Sequence, residues 1–244
     1  MSESGGALVF TDLDGSLLDH HSYRFDEARP MLAMLDSLDI PVIPTTSKTR
    51  SEIEILRAEL ASEHPFIVEN GAAIYIPEDY FAQPPVGTVS REGYWVKEFS
   101  APREHWLALL ETLAPAFTGE FECFHRAGPE GIADMTGLSA AAAQRANERE
   151  YSEPLQWRSS VSRKAEFVAA LREKFANPLQ GGRFLTLAGN CDKGKALVWL
   201  RQVFRDAQQS GEVCDLAVGD SGNDIAMLEA AQSALVVRSP VHDY

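Results

Sequence analysis

Two aspartates separated by one residue, Asp12 and Asp14, follow an apolar stretch in the sequence VFTDLDGSLLD. A carboxylate can attack a phosphoryl group and form an aspartyl phosphate. A second carboxylate two residues later can protonate the leaving oxygen and then deprotonate the attacking water. We therefore interpret Asp12 as a nucleophile and Asp14 as a general acid and base.

Polar residues also follow three other short apolar stretches of the chain. These clusters are Thr46-Ser47-Lys48, Glu69-Asn70-Gly71 and the stretch Asp220-Ser221-Gly222-Asn223-Asp224. Ligands of open α/β sheets bind outside the carboxyl ends of the strands. We therefore expect the clusters to converge with the two aspartates on one crevice.

The acidic residues of this crevice predict a magnesium site. Several carboxylates in one pocket repel one another unless a cation lies among them. Mg²⁺ takes oxygen ligands and binds one or two carboxylates together with phosphate oxygens and water. The candidate metal ligands are Asp12, Asp14, Asp220 and Asp224.

The remaining polar residues of the crevice are candidates for binding a phosphorylated substrate. Thr46 or Ser47 can donate hydrogen bonds to phosphoryl oxygens, assisted by backbone amides at the start of the next helix. Lys48 is either a phosphate-binding residue or a surface charge. Asn70 either contacts the substrate or only forms an Asn-Gly turn.

Apolar periodicity predicts the elements that position these residues. Short buried strands are expected at 7–10, 40–44, 65–68, 214–218 and 234–237. Amphipathic helices are expected at 26–38, 51–60, 193–205 and 225–231. Strands that alternate with helices indicate an α/β fold with a doubly wound parallel sheet.

A less regular segment interrupts this pattern after the linker-like sequence Gln83-Pro84-Pro85. It contains its own predicted strands at 94–99, 119–124 and 183–188, with helices between them. We therefore predict a catalytic core formed by 1–83 and 191–244. An α/β cap domain, residues 84–190, is inserted into it.

Composition restricts the partners and the location. The formal net charge of −14 argues against non-specific binding to nucleic acid. No stretch is long and apolar enough for a membrane span, and the N-terminal residues do not resemble a secretory signal. The three cysteines form no C-x-x-C pair, which indicates reduced thiols in a cytoplasmic protein. The oligomeric state is left open.

Four short sequence motifs of the chain resemble the motifs of the haloacid dehalogenase superfamily of phosphotransferases. The sequence DLDGS is similar to the first motif, Thr46 in VIPTTSKT to the second and GDSGNDIAML to the fourth. Lys193 in CDKGKAL is similar to the third motif, a lysine at the start of a helix. The resemblance implies that Thr46 and Lys193 hold the phosphoryl group. It also implies that the main-chain carbonyl of Asp14 binds the metal.

Several longer stretches are similar to the mannosyl-3-phosphoglycerate phosphatase family. They are TSKTRSEIE, PFIVENGAAI, YSEPLQW, GGRFLTLAGNCDKGKAL and VVRSP. The resemblance implies a Mg²⁺-dependent phosphatase that converts mannosyl-3-phosphoglycerate into mannosylglycerate and phosphate. Arg158 and Arg183 are then candidates for binding the glycerate carboxylate, because a guanidinium can donate two parallel hydrogen bonds. Each of them could instead serve only the structure of the cap.

Three other functions remain open at this point. The substrate could be glucosyl-3-phosphoglycerate or another phosphorylated sugar. The enzyme could be a phosphomutase, which transfers the phosphoryl group to a sugar instead of to water. A non-catalytic phosphosugar-binding protein is disfavoured, because binding alone requires neither a nucleophile nor a paired acid.

Overall fold

The computed structural model describes residues 6–20, 22–181, 183–208 and 212–238 of the 244-residue chain. Its strands are β1 Gly6–Thr11, β2 Val42–Pro44, β3 Phe66–Val68, β4 Ala73–Pro77, β5 Val89–Arg91, β6 Tyr94–Glu98, β7 Phe121–Cys123, β8 Glu153–Trp157, β9 Leu179–Gln180, β10 Leu185–Leu187, β11 Val213–Gly219 and β12 Ser233–Val236. Its α-helices are α1 Arg29–Ser37, α2 Arg50–Leu60, α3 Arg103–Leu113, α4 Phe124–Thr136, α5 Ala140–Asn147, α6 Val161–Glu173, α7 Lys193–Gln208 and α8 Ile225–Ala230.

These elements form two compact units. The first unit contains the described parts of 1–47, 63–97 and 192–244. The second unit contains 48–62 and the described parts of 98–191. The core and cap boundaries expected from the sequence stay a prediction.

The first unit is built on a parallel sheet with the strand order β12-β11-β1-β2. Side chains of β1 such as Leu8 and Phe10 are buried, as expected for a strand covered by helices. Thr11, the last residue of β1, lies opposite Val218 of β11 and Pro44 of β2. The polar residues after these strands therefore start from one edge of the sheet. The predicted parallel α/β core is confirmed.

The strand expected at 65–68 differs from the prediction in its partners. β3 pairs antiparallel with β4, and the order of this second sheet is β3-β4-β6-β5. An isolated parallel bridge between Thr45 and Ile67 joins β3 to the end of β2. β3 has only three residues and ends at a tight turn, so it pairs with β4, the strand that follows the turn. This explains why its partner is antiparallel.

The second unit is also α/β. Its antiparallel sheet has the order β7-β8-β10-β9. One face of this sheet packs on helices α3 and α6 through a core of Trp106, Leu110, Phe117, Phe121, Cys123, Leu155, Phe167, Leu171, Ala176, Leu185 and Leu187. At its border, Arg103 Nε donates to the buried Glu153 Oε2 at 2.6 Å.

Among the described residues, no helix has both the length and the apolar character of a membrane span. The three cysteines are free thiols; Cys123 and Cys191 are buried and Cys214 is exposed.

Candidate active site

The loop after β1 places Asp12 at the edge of the parallel sheet. The Asp12 amide donates to Val218 O of β11 at 2.8 Å, which extends the strand pairing by one bond. The chain then turns through Gly15, whose φ of +83° lies in the left-handed region. A Cβ at Gly15 would lie 2.5 Å from the Asp220 carboxylate. Glycine in the DLDGS motif therefore permits the first and fourth motifs to approach each other.

Lys193 is the first residue of α7 and its side chain is fully buried. The carboxylate of Asp192 accepts from the Lys195 amide at 2.8 Å, which is the bond of an N-cap and fixes where the helix begins. Lys193 Nζ lies 2.6 Å from Asp12 Oδ1 and 2.6 Å from Asp224 Oδ1. The third motif thus supplies a buried cation between two carboxylates.

The electrostatics of this cluster follow from burial and from the charges that it contains. Burial raises the pKa of Asp12 to about 6, although the charge of Lys193 opposes the rise. Repulsion from Asp224 and from Asp14 adds to the rise. Burial alone would lower the pKa of Lys193, but attraction to Asp12 and Asp224 outweighs burial and holds that pKa above its ordinary value. Lys193 is therefore charged at neutral pH.

Asp224 supports the site through its own hydrogen bonds. Its Oδ1 accepts from Lys193 Nζ, and its Oδ2 accepts from the amides of Asp220 and Ser221 at 3.1 and 3.0 Å. The Ser221 side chain in turn accepts from the Asp224 amide, which completes a capping box around the short 3₁₀ turn Gly222–Asp224. Both oxygens of Asp224 therefore have protein donors, and the residue fixes the main chain that carries Asp220.

The acidic cluster fits a hard dication. Asp12, Asp220 and Asp224 are buried, and each offers a carboxylate oxygen within 4.8 Å of the others. Carboxylate oxygens are the ligands that Mg²⁺ prefers. The half-buried Asp14 follows two residues after Asp12 in the same loop and acts on it electrostatically. It is not one of the three residues of the acidic cluster.

The second motif is held by the strand that follows it. The Thr46 amide donates to Ile67 O at 3.0 Å, and Thr46 O accepts from the Asn70 amide at 2.8 Å. Thr46 is buried whereas Ser47 is exposed. The side chain of Asn70 accepts a hydrogen bond from Asn223 Nδ2 at 3.1 Å. The structure therefore brings Thr46 and Asn70 together with the fourth motif.

The other predicted binding residues belong to the second unit. Lys48 is half-buried and precedes Thr49, the N-cap of α2. Arg158 is half-exposed, and its Nη1 lies 3.4 Å from Glu122 Oε2. Arg183 donates to the carbonyls of Met135 and Thr136 at 3.2 Å each, at the C-terminal end of α4. These contacts of Arg183 are those of a helix cap, and the role of all three residues in binding stays a prediction.

The sequence analysis placed Asn223 in this crevice but gave it no role. The sequence shows it as one polar residue within GDSGND, where it could be part of an ordinary turn. Only the fold reveals that it contacts Asn70, a residue 153 positions earlier in the chain.

Comparisons with known proteins agree with this geometry. Residues 9–84 match the family of haloacid dehalogenase-like hydrolases. The chain is 37% identical to the glucosyl-3-phosphoglycerate/mannosyl-3-phosphoglycerate phosphatase of Methanococcoides burtonii, over 97% of this chain and 86% of that protein. It is 35% identical to the mannosyl-3-phosphoglycerate phosphatase of Pyrococcus horikoshii, over 96% of this chain and 92% of that protein. The chain belongs to the mannosyl-3-phosphoglycerate phosphatase family.

Members of this family are phosphoric monoester hydrolases of the haloacid dehalogenase superfamily, and so is this chain. A solved phosphatase of that superfamily from Bacteroides thetaiotaomicron superposes with a TM-score of 0.68. The superposition covers 98% of this chain and 87% of that one at 16% identity, which indicates a common fold. The family relationship expected from the sequence is confirmed.

Proposed function

We propose that this phosphatase hydrolyses mannosyl-3-phosphoglycerate to mannosylglycerate and phosphate through an aspartyl phosphate on Asp12. The observation that carries the proposal is the contact of 2.6 Å between Lys193 Nζ and Asp12 Oδ1 inside a buried acidic cluster. A buried lysine that neutralises one oxygen of a carboxylate lets a phosphate dianion approach it. Relatives over most of the chain carry this activity in their names.

Asp12 Oδ2 is the oxygen that attacks phosphorus. Oδ1 accepts from Lys193, and no described residue donates a hydrogen bond to Oδ2. Attack forms the bond between Oδ2 and phosphorus and breaks the bond between phosphorus and the glycerate oxygen. That oxygen leaves with the proton of Asp14. Asp14 then takes a proton from water, whose oxygen attacks the aspartyl phosphate and releases phosphate and the Asp12 carboxylate.

Thr46 and Lys193 hold the phosphoryl oxygens during both steps, and Ser47 remains an alternative to Thr46. Lys193 is fixed by Asp224 on its other side, so its charge stays in place when Asp12 becomes neutral as an acyl phosphate. Donors that are positioned before the reaction begins stabilise charge without reorganising. Asn70 is a further donor to the substrate.

Mg²⁺ is the cofactor that these residues would hold. Asp12 and Asp220 offer carboxylate oxygens, the main-chain carbonyl of Asp14 offers a third ligand, and Asp224 supports Asp220 through its amide. The ion, when bound, offsets the repulsion among the carboxylates and the charge of the phosphoryl group.

Replacing Asp220 with asparagine is expected to weaken Mg²⁺ binding by roughly a hundredfold, because one anionic ligand is lost. The measurement is the rise in melting temperature as Mg²⁺ is added, since a ligand that binds the folded state raises it. Asp206→Asn, an exposed acid on α7, is the control with the same charge change. An unchanged response of Asp220→Asn to Mg²⁺ would remove Asp220 from the metal site.

Glucose is a second candidate for the sugar of the substrate. Relatives from Methanococcoides burtonii and Persephonella marina are named for both glucosyl- and mannosyl-3-phosphoglycerate. Arg158 is the better candidate for binding the glycerate carboxylate that both substrates share, because Arg183 is engaged by carbonyls at the end of α4. Both compounds are therefore expected to be cleaved.

The test is phosphate release from the mannosyl and glucosyl compounds, beside a panel of simple sugar phosphates, with Mg²⁺ and with a chelator. We expect Mg²⁺-dependent release from the two phosphoglycerate glycosides at a kcat/KM well above that for the panel. Equal turnover across the panel would contradict the proposed substrate and leave the chemistry in place. Transfer of phosphate to a second sugar instead of to water would identify a phosphomutase.

A further inference from the structure

The loop between α5 and β8, residues 148–152, has no regular structure of its own, yet its main chain is tightly held. The Arg103 amide donates to Glu150 O at 2.8 Å, and Trp106 Nε1 donates to Tyr151 O at 3.0 Å. Arg103, Trp106 and Tyr151 are buried. Connecting loops usually lie on the surface and are mobile. The α5–β8 loop is therefore fixed to an unusual degree.

The buried side chain of Arg103 fixes both ends of this loop. Its Nη1 and Nη2 donate to the main-chain and side-chain oxygens of Asn147, the last residue of α5, at 2.6 and 2.9 Å. Its Nε donates to Glu153 Oε2 at the start of β8, and Glu153 Oε1 accepts from the His125 amide at 2.7 Å. A guanidinium has donors only, so the direction of its bonds is unambiguous. The residues that flank the loop are therefore held in one arrangement.

Arg149 is the cation of the α5–β8 loop. Arg149 Nε donates to Ser152 Oγ at 3.0 Å, and Ser152 is fully buried. This bond closes the loop on itself and orients the guanidinium, because Nε lies in the guanidinium plane. Arg149 is itself half-buried. Salt screens a half-buried charge less than an exposed one, and a side chain that is already ordered loses less entropy on binding. Arg149 is therefore preorganised to bind an anion.

The loop is also bonded to the helix that follows the second motif. Glu150, the neighbour of Arg149, forms an ion pair of 3.1 Å with Arg50 of α2. Arg50 comes only four residues after Thr46 in the chain. The acid beside Arg149 therefore has a counterion on α2, and the loop is tied to the segment that continues from the phosphate-binding motif.

The proposed substrate carries one ionised group besides its phosphate, the carboxylate of the glycerate. A guanidinium can donate two parallel hydrogen bonds to such a group. Arg158 and Arg183 are both more exposed than Arg149. We propose that Arg149 binds the glycerate carboxylate and that Ser152 is a positioning residue, which acts through Arg149. A carboxylate has two oxygens, so a second guanidinium such as that of Arg158 can bind it as well. The proposal deepens the proposed function and rests on it.

The test uses two inhibitors, each of which carries one of the two anionic groups of the substrate. Mannosylglycerate has the carboxylate without the phosphate, and inorganic phosphate has no carboxylate. In Arg149→Met, the inhibition constant of mannosylglycerate is expected to rise by roughly 10- to 100-fold, because hydrogen bonds to a charged group are lost. The constant of phosphate should stay close to its wild-type value. Arg172→Met on the exposed side of α6 is the control with the same charge change and should alter neither constant.

Two results would overturn the role of Arg149. One is an unchanged inhibition constant of mannosylglycerate in Arg149→Met, and the other is an equal rise in the constants of mannosylglycerate and phosphate. Damage to the fold is distinguishable from both, because it lowers the fraction of active enzyme, and hence kcat, without changing either constant. A wild-type enzyme that cleaves neither phosphoglycerate glycoside and is not inhibited by mannosylglycerate would instead contradict the proposed function, and this proposal with it.

Ser152→Ala tests the positioning role. Removing the hydroxyl leaves the charge of Arg149 in place but releases its orientation, so the inhibition constant of mannosylglycerate is expected to rise by about 3- to 10-fold. Because Ser152 acts through Arg149, the variant that carries both changes should lie within about threefold of Arg149→Met. Wild-type inhibition in Ser152→Ala, or effects that multiply in the double variant, would overturn the positioning role of Ser152.

Discussion

Replacing Asp12 with asparagine is expected to abolish turnover and to raise the melting temperature of the metal-free protein. Turnover is lost because an amide cannot form the acyl phosphate. Stability rises because burial has raised the pKa of Asp12 to about 6 from an ordinary value of 3.8. The folded protein therefore holds this proton more tightly than the unfolded chain. As the pH rises from about 4 to about 6, ionisation of Asp12 lowers the free energy of unfolding.

The expected gain at pH 7.5 is about 1–3 kcal/mol, since a shift of one pKa unit corresponds to about 1.4 kcal/mol and Lys193 loses one partner. Thermal unfolding with a chelator, at pH 7.5 and again near pH 4.5, measures it. The gain should shrink at the lower pH, where wild-type Asp12 is itself protonated. Asp36→Asn on the exposed face of α1 is the control with the same charge change. A lower melting temperature of Asp12→Asn at pH 7.5 would contradict the account.

Replacing Lys193 with methionine is expected to abolish turnover and, in contrast to Asp12→Asn, to lower the stability of the protein. The side chain is fully buried, and its ammonium group contacts Asp12 and Asp224 at 2.6 Å each. Removing one partner of a buried ion pair leaves an uncompensated charge and costs about 3–5 kcal/mol. We therefore expect a loss of that size in the free energy of unfolding, together with at least roughly a hundredfold loss in kcat.

Urea unfolding at pH 7.5 measures this loss in the metal-free protein. Lys195→Met is the matched control, because Lys195 lies two residues later on the same helix and its half-exposed side chain pairs with Asp192 at 3.3 Å. Its effect should stay within about 1 kcal/mol, the range of surface ion pairs. Similar losses in the two variants would show that Lys193 is not the countercharge of a buried cluster.

The convergence of the candidate core residues on one edge of the sheet was predictable, because it depends on local patterns. A strand of a parallel sheet appears in the sequence as a short apolar run. The residues that follow it lie at the carboxyl edge of the sheet, independently of the rest of the fold. Asp12, Thr46 and Asp220 each follow such a run, and the pairing of Thr11 with Val218 and Pro44 starts them from one edge. The ends of the predicted strands were therefore sufficient to predict that these three residues start from the same edge of the sheet.

Residues that act through contacts distant in sequence were not predictable in this way. Asn223 binds Asn70 across 153 positions, and Arg103 pairs with Glu153 across 50. A single polar residue in a turn gives no signal of its partner. For Arg183 the sequence left open a substrate ligand or a structural residue of the cap; its guanidinium donates to carbonyls at the end of α4, and its role in binding stays a prediction. Residue type alone does not distinguish a ligand from a helix cap.

The strands around the Glu69-Asn70-Gly71 turn show a similar limit. The apolar stretch Ala73–Pro77 forms β4, which the sequence analysis did not assign. An apolar run of this length can be either strand or buried helix, and periodicity does not separate them. Pairing with β3 decides in favour of a strand, and this pairing depends on the left-handed residues of the turn.

The most direct test of the account is to locate the phosphoryl group on the enzyme during turnover. The phosphatase is mixed with mannosyl-3-phosphoglycerate and Mg²⁺, quenched in acid at successive times and digested for peptide mass spectrometry. We predict a phosphoryl group on the peptide that contains Asp12, formed within the first turnover, lost as phosphate is released and absent from Asp12→Asn. Two results would contradict Asp12 as the nucleophile. One is a phosphoryl group on another residue while phosphate is released, and the other is an undiminished rate of phosphate release in Asp12→Asn.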